Sequence, residues 1–339
     1  MMAKEMLQWG ILSTAQINRE IIPVIREEPR SDLLAVASRS EDRARKYADE
    51  WNIPRSYGRY EDLLVDQDID VVYISVPNKL HHQWVVASAR AGKHILCEKP
   101  LAMSVTECEQ MIEIAGRKDV FLQEALMYRY HPQTLRLQKL LMQGLLGDLK
   151  YIHAVISYPV GYPHDASVVP EQDSRLNWSI MGGSLWDIGY YAVNFTRMVT
   201  NCEPYEVRGW SNKVRGHDAD DAFYGTLLFA NDVIAHIECG FSQPARFHGE
   251  VVGMDGVIFL PCAYGFQQDR VLSPIYRSKD GDEVIEITAA NPYFKEVNHF
   301  CDCVLENKER IVPLDDALNT IKVVAALYES ALTKTSTCI

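Results

Sequence analysis

The chain has 339 residues, of which 47% are hydrophobic and 24% charged, and a formal net charge of -12. That length exceeds what one core usually holds, so two domains are expected in an ordinary water-soluble globular protein. The acidic balance argues against a nucleic-acid or anionic-membrane partner, because binding phosphates in number requires clustered Lys and Arg.

No N-terminal stretch joins a basic end to a long apolar run and a small-residue cleavage site, and no apolar run approaches the roughly 20 residues of a membrane span, so a cytoplasmic location is expected. The cysteines are scattered, without a CxxC pair, and are expected to be reduced thiols. Cys301 and Cys303 lie near His299, but "VNHFCDCVLE" reads as an amphipathic helix and no second ligand cluster would close a site, so no metal is expected.

The first third alternates strand and helix. "LQWGILS" is an apolar run ending in small residues, and "INREIIPVIREE" places Ile17, Ile21, Ile22 and Ile25 on a helical face. "SDLLAVASRS" predicts a second strand and "EDRARKYADEW" a charged helix. "RSYGRYEDLLVD" reads as a short strand and helix. "IDVVYISVPN" is rich in β-branched and aromatic residues and is the clearest strand. "HHQWVVASARAG" predicts a helix closed by Gly92, "KHILCEKP" a buried strand, Ser104-Val105-Thr106-Glu107 a capping box, and "VFLQEA" a further strand. Unbroken apolar strands alternating with helices mean an α/β Rossmann-type domain over 1–123, a parallel sheet with helices on both faces.

From about residue 124 the rhythm changes. "EALMYRYHPQTLRLQKLLMQGLLG" reads as one long helix ending at Gly147. Long alternating strands follow: "LKYIHAVISYPV", "YEVRGWSNKV", "DAFYGTLLFA", "DVIAHIECGFS" and "FHGEVVGMDGVIFL". Ala230-Asn231-Asp232 reads as a hairpin turn. A helix around "WDIGYYAVNFTRMVT" interrupts the strands, and "PYFKEVNHFCDCVLEN" and "LDDALNTIKVVAALYESALTK" predict two closing helices. The expectation for 124–339 is an α+β substrate-binding domain with a large, mostly antiparallel sheet.

In an open parallel sheet, ligands bind beyond the carboxyl ends of the strands. Those ends carry Ser13-Thr14-Ala15-Gln16-Ile17, then Ser38 and Arg39, then Pro77, Asn78 and His81, then Glu98 and Lys99. The first turn lacks the glycines of a dinucleotide fingerprint. Ser13 and Ala15 are the smallest side chains with a Cβ, backbone N–H groups from Ala15 to Ile17 can face phosphate at a helix N-terminus, and Ser13 adds a hydroxyl. An NAD-preferring domain places Asp or Glu after the second strand. Here Arg39, with Arg43 in the following helix, suits the 2′-phosphate of NADP. Lys99 could donate to a substrate oxygen or ease ionisation of a nearby acid, or could simply be solvated. Asp187 and Tyr191 lie four apart on one predicted helix, after the pair Gly182-Gly183, which lets a loop approach a ligand closely.

"AGKHILCEKPLAMS", "VVYISVPNKLHH" and "GGSLWDIGYYAVN" together resemble the Gfo/Idh/MocA oxidoreductase family over nearly the whole chain. "LQEALMYRYHPQ" and the "ILST" turn resemble its subgroup of dimeric dihydrodiol dehydrogenases, NADP-linked xylose dehydrogenases and sugar ketoreductases. The resemblance implies hydride transfer between nicotinamide C4 and a carbinol or ketone carbon of a sugar, sugar derivative or alicyclic diol. It implies Lys99 as a substrate-oxygen ligand that assists proton transfer and Asp187 as a residue that orients substrate hydroxyls. Many members carry His where this chain has Tyr191, and the subgroup uses that Tyr as acid/base. Arg129, His131, Arg175 and Asn177 are further substrate-site candidates. The resemblance also implies a homodimer or homotetramer built through the C-terminal sheet. A relative that retains NAD for glycosidase-like chemistry and a non-catalytic NADP-binding regulator are the competing readings.

Overall fold

The computed structural model describes residues 5–159, 182–213, 219–264 and 273–339. The chain divides into two compact units, Met1–Tyr130 with Asn291–Leu318, and His131–Ala290 with Asn319–Ile339.

The first unit opens with β1 (Leu7–Leu12), α1 (Asn18–Glu27), β2 (Ser31–Ala37), α2 (Glu41–Trp51), β3 (Arg55–Tyr57), α3 (Tyr60–Val65) and β4 (Val71–Ile74). It continues with α4 (His81–Arg90), β5 (His94–Glu98), α5 (Val105–Arg117) and β6 (Leu122–Ala125). The six strands form one parallel sheet in the order β3-β2-β1-β4-β5-β6. This is the doubly wound order, and its switch point lies between β1 and β4. The local signals act as expected. Gly92 ends α4 at φ 74°, and Ser104 Oγ accepts from Glu107 N at 3.2 Å at the start of α5. The return bond of the capping box runs from Met103 N to Glu107, one residue upstream of the usual partner.

Where the sequence reading sets 1–123 against 124–339, the first compact unit runs to Tyr130 and takes in Asn291–Leu318. The helix α8 (Pro292–Glu306) returns to the first unit and buries Val297, Phe300 and Cys301 in its core. Phe300 packs on Trp9 and Phe121 with ring centroids 5.1 and 5.0 Å apart. The long helix expected over 124–147 is also broken. Residues Met127–Tyr130 form a 3-10 turn, and α6 spans only Pro132–Met142. Pro132 excludes helical backbone at the residue before it, and His131 is extended at ψ 138°.

The second unit carries a nine-stranded sheet. Its strands are β7 (Leu149–Ser157), β8 (Pro204–Asn212), β9 (Ala222–Phe229), β10 (Ile234–Gly240), β11 (Gly249–Gly253), β12 (Val257–Leu260), β13 (Ile275–Ser278), β14 (Gly281–Val284) and β15 (Thr337–Cys338). They lie in the order β14-β13-β12-β11-β7-β10-β9-β8-β15. All described pairings are antiparallel except β7 with β10. The stretch read as a single strand over "FHGEVVGMDGVIFL" is the β11–β12 hairpin, turning at Met254-Asp255-Gly256. The α7 helix (Tyr190–Thr200) covers one face of the sheet, as does α9 (Asp315–Thr333), whose Leu327 lies against Gly209 and Gly225. The other face carries half-buried Tyr151, His153, Tyr224, His236 and Glu238.

Candidate active site

Strand register builds the candidate cofactor edge of the first unit. Ala37, Leu12, Ile74, Cys97 and Glu124 are successive partners across β2-β1-β4-β5-β6. The residues that follow them, Ser38, Ser13, Ser75 and Glu98, therefore stand in a row along the carboxyl edge, where an open parallel sheet presents its ligand site.

Ser13 takes the left-handed backbone that a glycine would supply, with φ 104°. Such a conformation costs a serine about 1–2 kcal/mol. Four hydrogen bonds hold it. Ser13 N–H donates to Ala37 O at 3.0 Å and Ser13 Oγ to Ser75 O at 2.9 Å. Asn18 Nδ2 donates to Ser13 O at 3.0 Å, and Ser75 Oγ to Asn18 Oδ1 at 2.6 Å. The Ser13 hydroxyl, expected to reach phosphate, is turned inward; it also accepts from Ala15 N at 3.2 Å. Thr14 and Ala15 are half-buried and Gln16 exposed, and no side chain caps the N-terminus of α1 at Ile17. A left-handed turn leading into an uncapped helix end is the shape that takes a pyrophosphate.

Lys99 sits half-buried on a turn fixed at three points. Tyr73 OH donates to Glu98 Oε1 at 2.5 Å. Leu101 N–H donates to Glu124 Oε1 at 2.7 Å. His81 Nδ1 lies 2.9 Å from Pro100 O, and its Nε2 2.9 Å from Val76 O. The Lys99–Pro100 bond is cis. His81 was expected to meet the cofactor. Its side chain is instead fully buried, and burial pushes its imidazole below the usual value. It joins the loop after β4, where Pro77 is exposed and Asn78 half-buried, to the loop after β5.

At the end of β2, Ser38 is buried while Arg39 and Arg43 are exposed. Among the described residues neither arginine forms an ion pair. Burial raises the Tyr60 phenol, and the charges of Arg39 and Arg43 both oppose that shift, so both lie within electrostatic reach of its hydroxyl. This pair suits a phosphorylated ribose.

A separate group of candidate residues lies at a helix start in the second unit. Gly183 has φ 130°, and the first turn, Leu185–Gly189, is a π-turn that continues into α7. A uniform α-helix was expected. Gly189 lies so close to β10 that an added Cβ would stand 2.7 Å from Cys239 Sγ. Asp187 is half-buried one turn into this segment, and its N–H donates to Gly183 O at 3.0 Å. Tyr191 is 7% exposed, and its ring lies edge-on to Tyr264 with centroids 6.1 Å apart. The glycine pair, read as space for a ligand, has a different use at Gly183. A Cβ there would press into the Asp220 carboxylate and stand 2.7 Å from the Tyr328 hydroxyl.

Two expected substrate residues are buried and bonded within their own units. Arg129, 4% exposed, pairs with Asp316 at 3.2 Å. His131, 6% exposed, caps α6 by accepting from Gln133 N at 3.1 Å. Arg175 and Asn177 lie outside the described residues.

Sequence reasoning passed over Ser75 and Asn18, which shape the phosphate turn. It also passed over Glu296 on α8. That carboxyl is fully buried, and burial first and then the Glu98 charge push it well above the usual carboxylate range. No sequence signal distinguishes these residues from ordinary helix and strand positions.

A doubly wound parallel-sheet unit joined in sequence to a unit built on a large mixed sheet defines the class, a two-domain protein with a Rossmann-type nucleotide-binding unit. Residues 7–126 match the model of an oxidoreductase family with an NAD-binding Rossmann fold, and residues 134–259 match the GFO/IDH/MocA C-terminal domain. The chain is 33% identical to D-xylose 1-dehydrogenase (NADP(+)) 2 of Haloferax volcanii over 96% of its own length and 98% of that protein's. It is 34% identical to the trans-1,2-dihydrobenzene-1,2-diol dehydrogenase of Danio rerio over 75% of its length and 74% of that protein's. The crystal structure of aldose-aldose oxidoreductase from Caulobacter crescentus superposes with a TM-score of 0.89 at 26% identity, covering 98% of this chain and all of that one. The chain belongs to the Gfo/Idh/MocA family and is an NAD(P)-binding oxidoreductase. No helix among the described residues is long and apolar enough to cross a membrane.

Proposed function

We propose that this protein is an NADP-dependent oxidoreductase moving hydride between nicotinamide C4 and a carbinol or ketone carbon of a sugar, sugar derivative or alicyclic diol. Tyr191 and Lys99 serve as its acid/base pair. The observation that carries the reading is the Lys99 turn, fixed by Tyr73, Glu124 and His81 on the edge that also bears the Ser13 turn. Three tethers from three different elements are more than a solvated surface lysine requires. The names of the relatives, a xylose dehydrogenase, a dihydrodiol dehydrogenase and an aldose oxidoreductase, support a polyol or cyclic diol as the substrate class.

When bound, the nicotinamide supplies the hydride acceptor or donor. Oxidation of a carbinol also removes a proton from its oxygen, and the protein must handle that proton. Tyr191 takes it in oxidation and returns it in reduction. The Lys99 ammonium lowers the cost of the phenolate and of charge developing on the substrate oxygen. Asp187 accepts hydrogen bonds from neighbouring hydroxyls and orients the ring. Ala15, Gln16 and Ile17 would hold pyrophosphate through backbone N–H groups, and Arg39 and Arg43 the 2′-phosphate.

A panel of aldoses, sugar nucleotides and cyclic diols, followed by nicotinamide absorbance, tests the substrate class. Turnover of at least one is expected; silence across the panel would favour a non-catalytic NADP-binding role. NADP should raise the melting temperature more than NAD does. Arg39→Ala should weaken NADP about 10- to 100-fold and leave NAD unchanged, the range of a lost charged hydrogen bond. Equal loss for both cofactors would remove Arg39 from 2′-phosphate recognition.

A further inference from the structure

An α-helix begins with backbone donors that no partner within the helix satisfies. At the segment that carries Asp187 and Tyr191, those donors are met from outside. Ser184 N–H donates to Asp220 O at 2.9 Å, and Leu185 N–H to Asp220 Oδ2 at 3.0 Å. Ser184 Oγ donates to the same Oδ2 at 2.6 Å. Tyr328 OH donates to Asp220 Oδ1 at 2.6 Å, and the Trp186 amide hydrogen-bonds the Tyr328 hydroxyl. The Trp186 ring also stacks on Tyr328 at 6.1 Å and 26°.

Asp220 is 2% exposed and precedes β9, while Tyr328 comes from α9. A carboxylate at a helix N-terminus is favoured by the helix dipole as well as by its donors. Burial pushes the Asp220 carboxyl up, and Ser184, Tyr328 and the Leu185 amide oppose that rise. Gly183 completes the fit, since any side chain there would occupy the space of the Asp220 carboxylate.

We propose that Asp220, acting with Tyr328, is a positioning residue for the chemistry assigned above: an external cap that fixes the axial position and rotation of the helix bearing Asp187 and Tyr191. The proposal rests on the reading of Tyr191 as acid/base. Neither Asp220 nor Tyr328 touches the reacting atoms in this role. A displacement near 1 Å of a catalytic group can cost about 100-fold in rate, so loss of one tether is expected to act on turnover rather than on cofactor affinity.

Tyr328→Phe removes one donor at almost constant volume and is the primary variant; Asp220→Asn, which keeps size but loses charge, is the second. Both are made in the wild-type chain and in Tyr191→Phe. Tyr328→Phe should lower kcat about tenfold, leave NADP affinity unchanged, and have a clearly smaller effect once Tyr191 is Phe, where only the placement of Asp187 remains to be disturbed. Unchanged kcat, or the same drop in the Tyr191→Phe background, overturns the proposal. Amide hydrogen exchange over 184–191 reads the cap without chemistry, and both variants should exchange faster there than wild type. Unchanged exchange also overturns it. Faster exchange combined with full activity of Tyr191→Phe leaves the cap standing and removes Tyr191 from the mechanism instead.

Discussion

Ser13 and Gly183 both hold left-handed backbone beside the proposed chemistry, yet one position accepts a side chain and the other does not. At Ser13 the demand is conformational. The strain is local, and bonds to Ala37, Ser75 and Asn18 offset it, so a small residue with a hydroxyl serves where a dinucleotide fingerprint has glycine. At Gly183 the demand is also steric, because the volume a Cβ would need holds Asp220 and Tyr328. A missing glycine in a fingerprint is therefore weak grounds against a phosphate turn, provided that other side chains can pin the turn.

The contrast is best strained at its stiffer end. Gly183→Ala adds a Cβ in a disfavoured conformation against a buried carboxylate, and should cost about 3 kcal/mol, roughly 6–12 °C in melting temperature. A loss below 1 °C in a thermal melt would mean that Asp220 yields easily. Ser13→Ala keeps the strain and removes the hydroxyl bonds, for about 1–2 kcal/mol. Ser13→Gly removes both, and should fall within about 1 kcal/mol of wild type. Denaturant titration checks the order; Ala more stable than Gly at this site would refute the view that the hydroxyl offsets strain.

The smallest effect concerns Glu296. Its carboxyl is raised in the folded state, so its neutral burial contributes fully below the unfolded carboxylate value of about 4.3 and is lost as pH rises toward the folded one. Glu296→Gln cannot ionise. It should melt a few degrees above wild type near about pH 8, and level with it near about pH 4.5. A gap of the same size at both values would show that Glu296 does not titrate as a buried acid.

The parallel sheet was legible because its central strands, β1, β4 and β5, are largely apolar runs and some of its helices carry local end signals, as at Ser104 and Gly92. Lys99, Asp187 and Tyr191 were legible as residues in motifs. The elements around them were not, since they depend on partners far along the chain. Ser13 leans on Ser75, 62 residues away, and Asp220 reaches Tyr328 across 108. The amphipathic pattern of α8 showed a buried face but not that the face lies against Trp9 in the first unit. The break before α6 and the β11–β12 hairpin were written in local chemistry, at Pro132 and at Asp255-Gly256, where turn signals outrank the apolar pattern around them. Arg129 and His131 were read as ligands from a family-like motif; the bonds each makes within its own unit, to Asp316 and to the Gln133 amide, were not visible there.

The central claim is that Lys99 acts in proton handling rather than in holding the fold or the cofactor. The most direct measurement is kcat of Lys99→Met beside its NADP dissociation constant, on whichever polyol or carbonyl the panel identifies. Expected is a fall in kcat of at least about 100-fold with NADP affinity within about threefold of wild type. Wild-type kcat in Lys99→Met, or a loss confined to NADP binding, would contradict it.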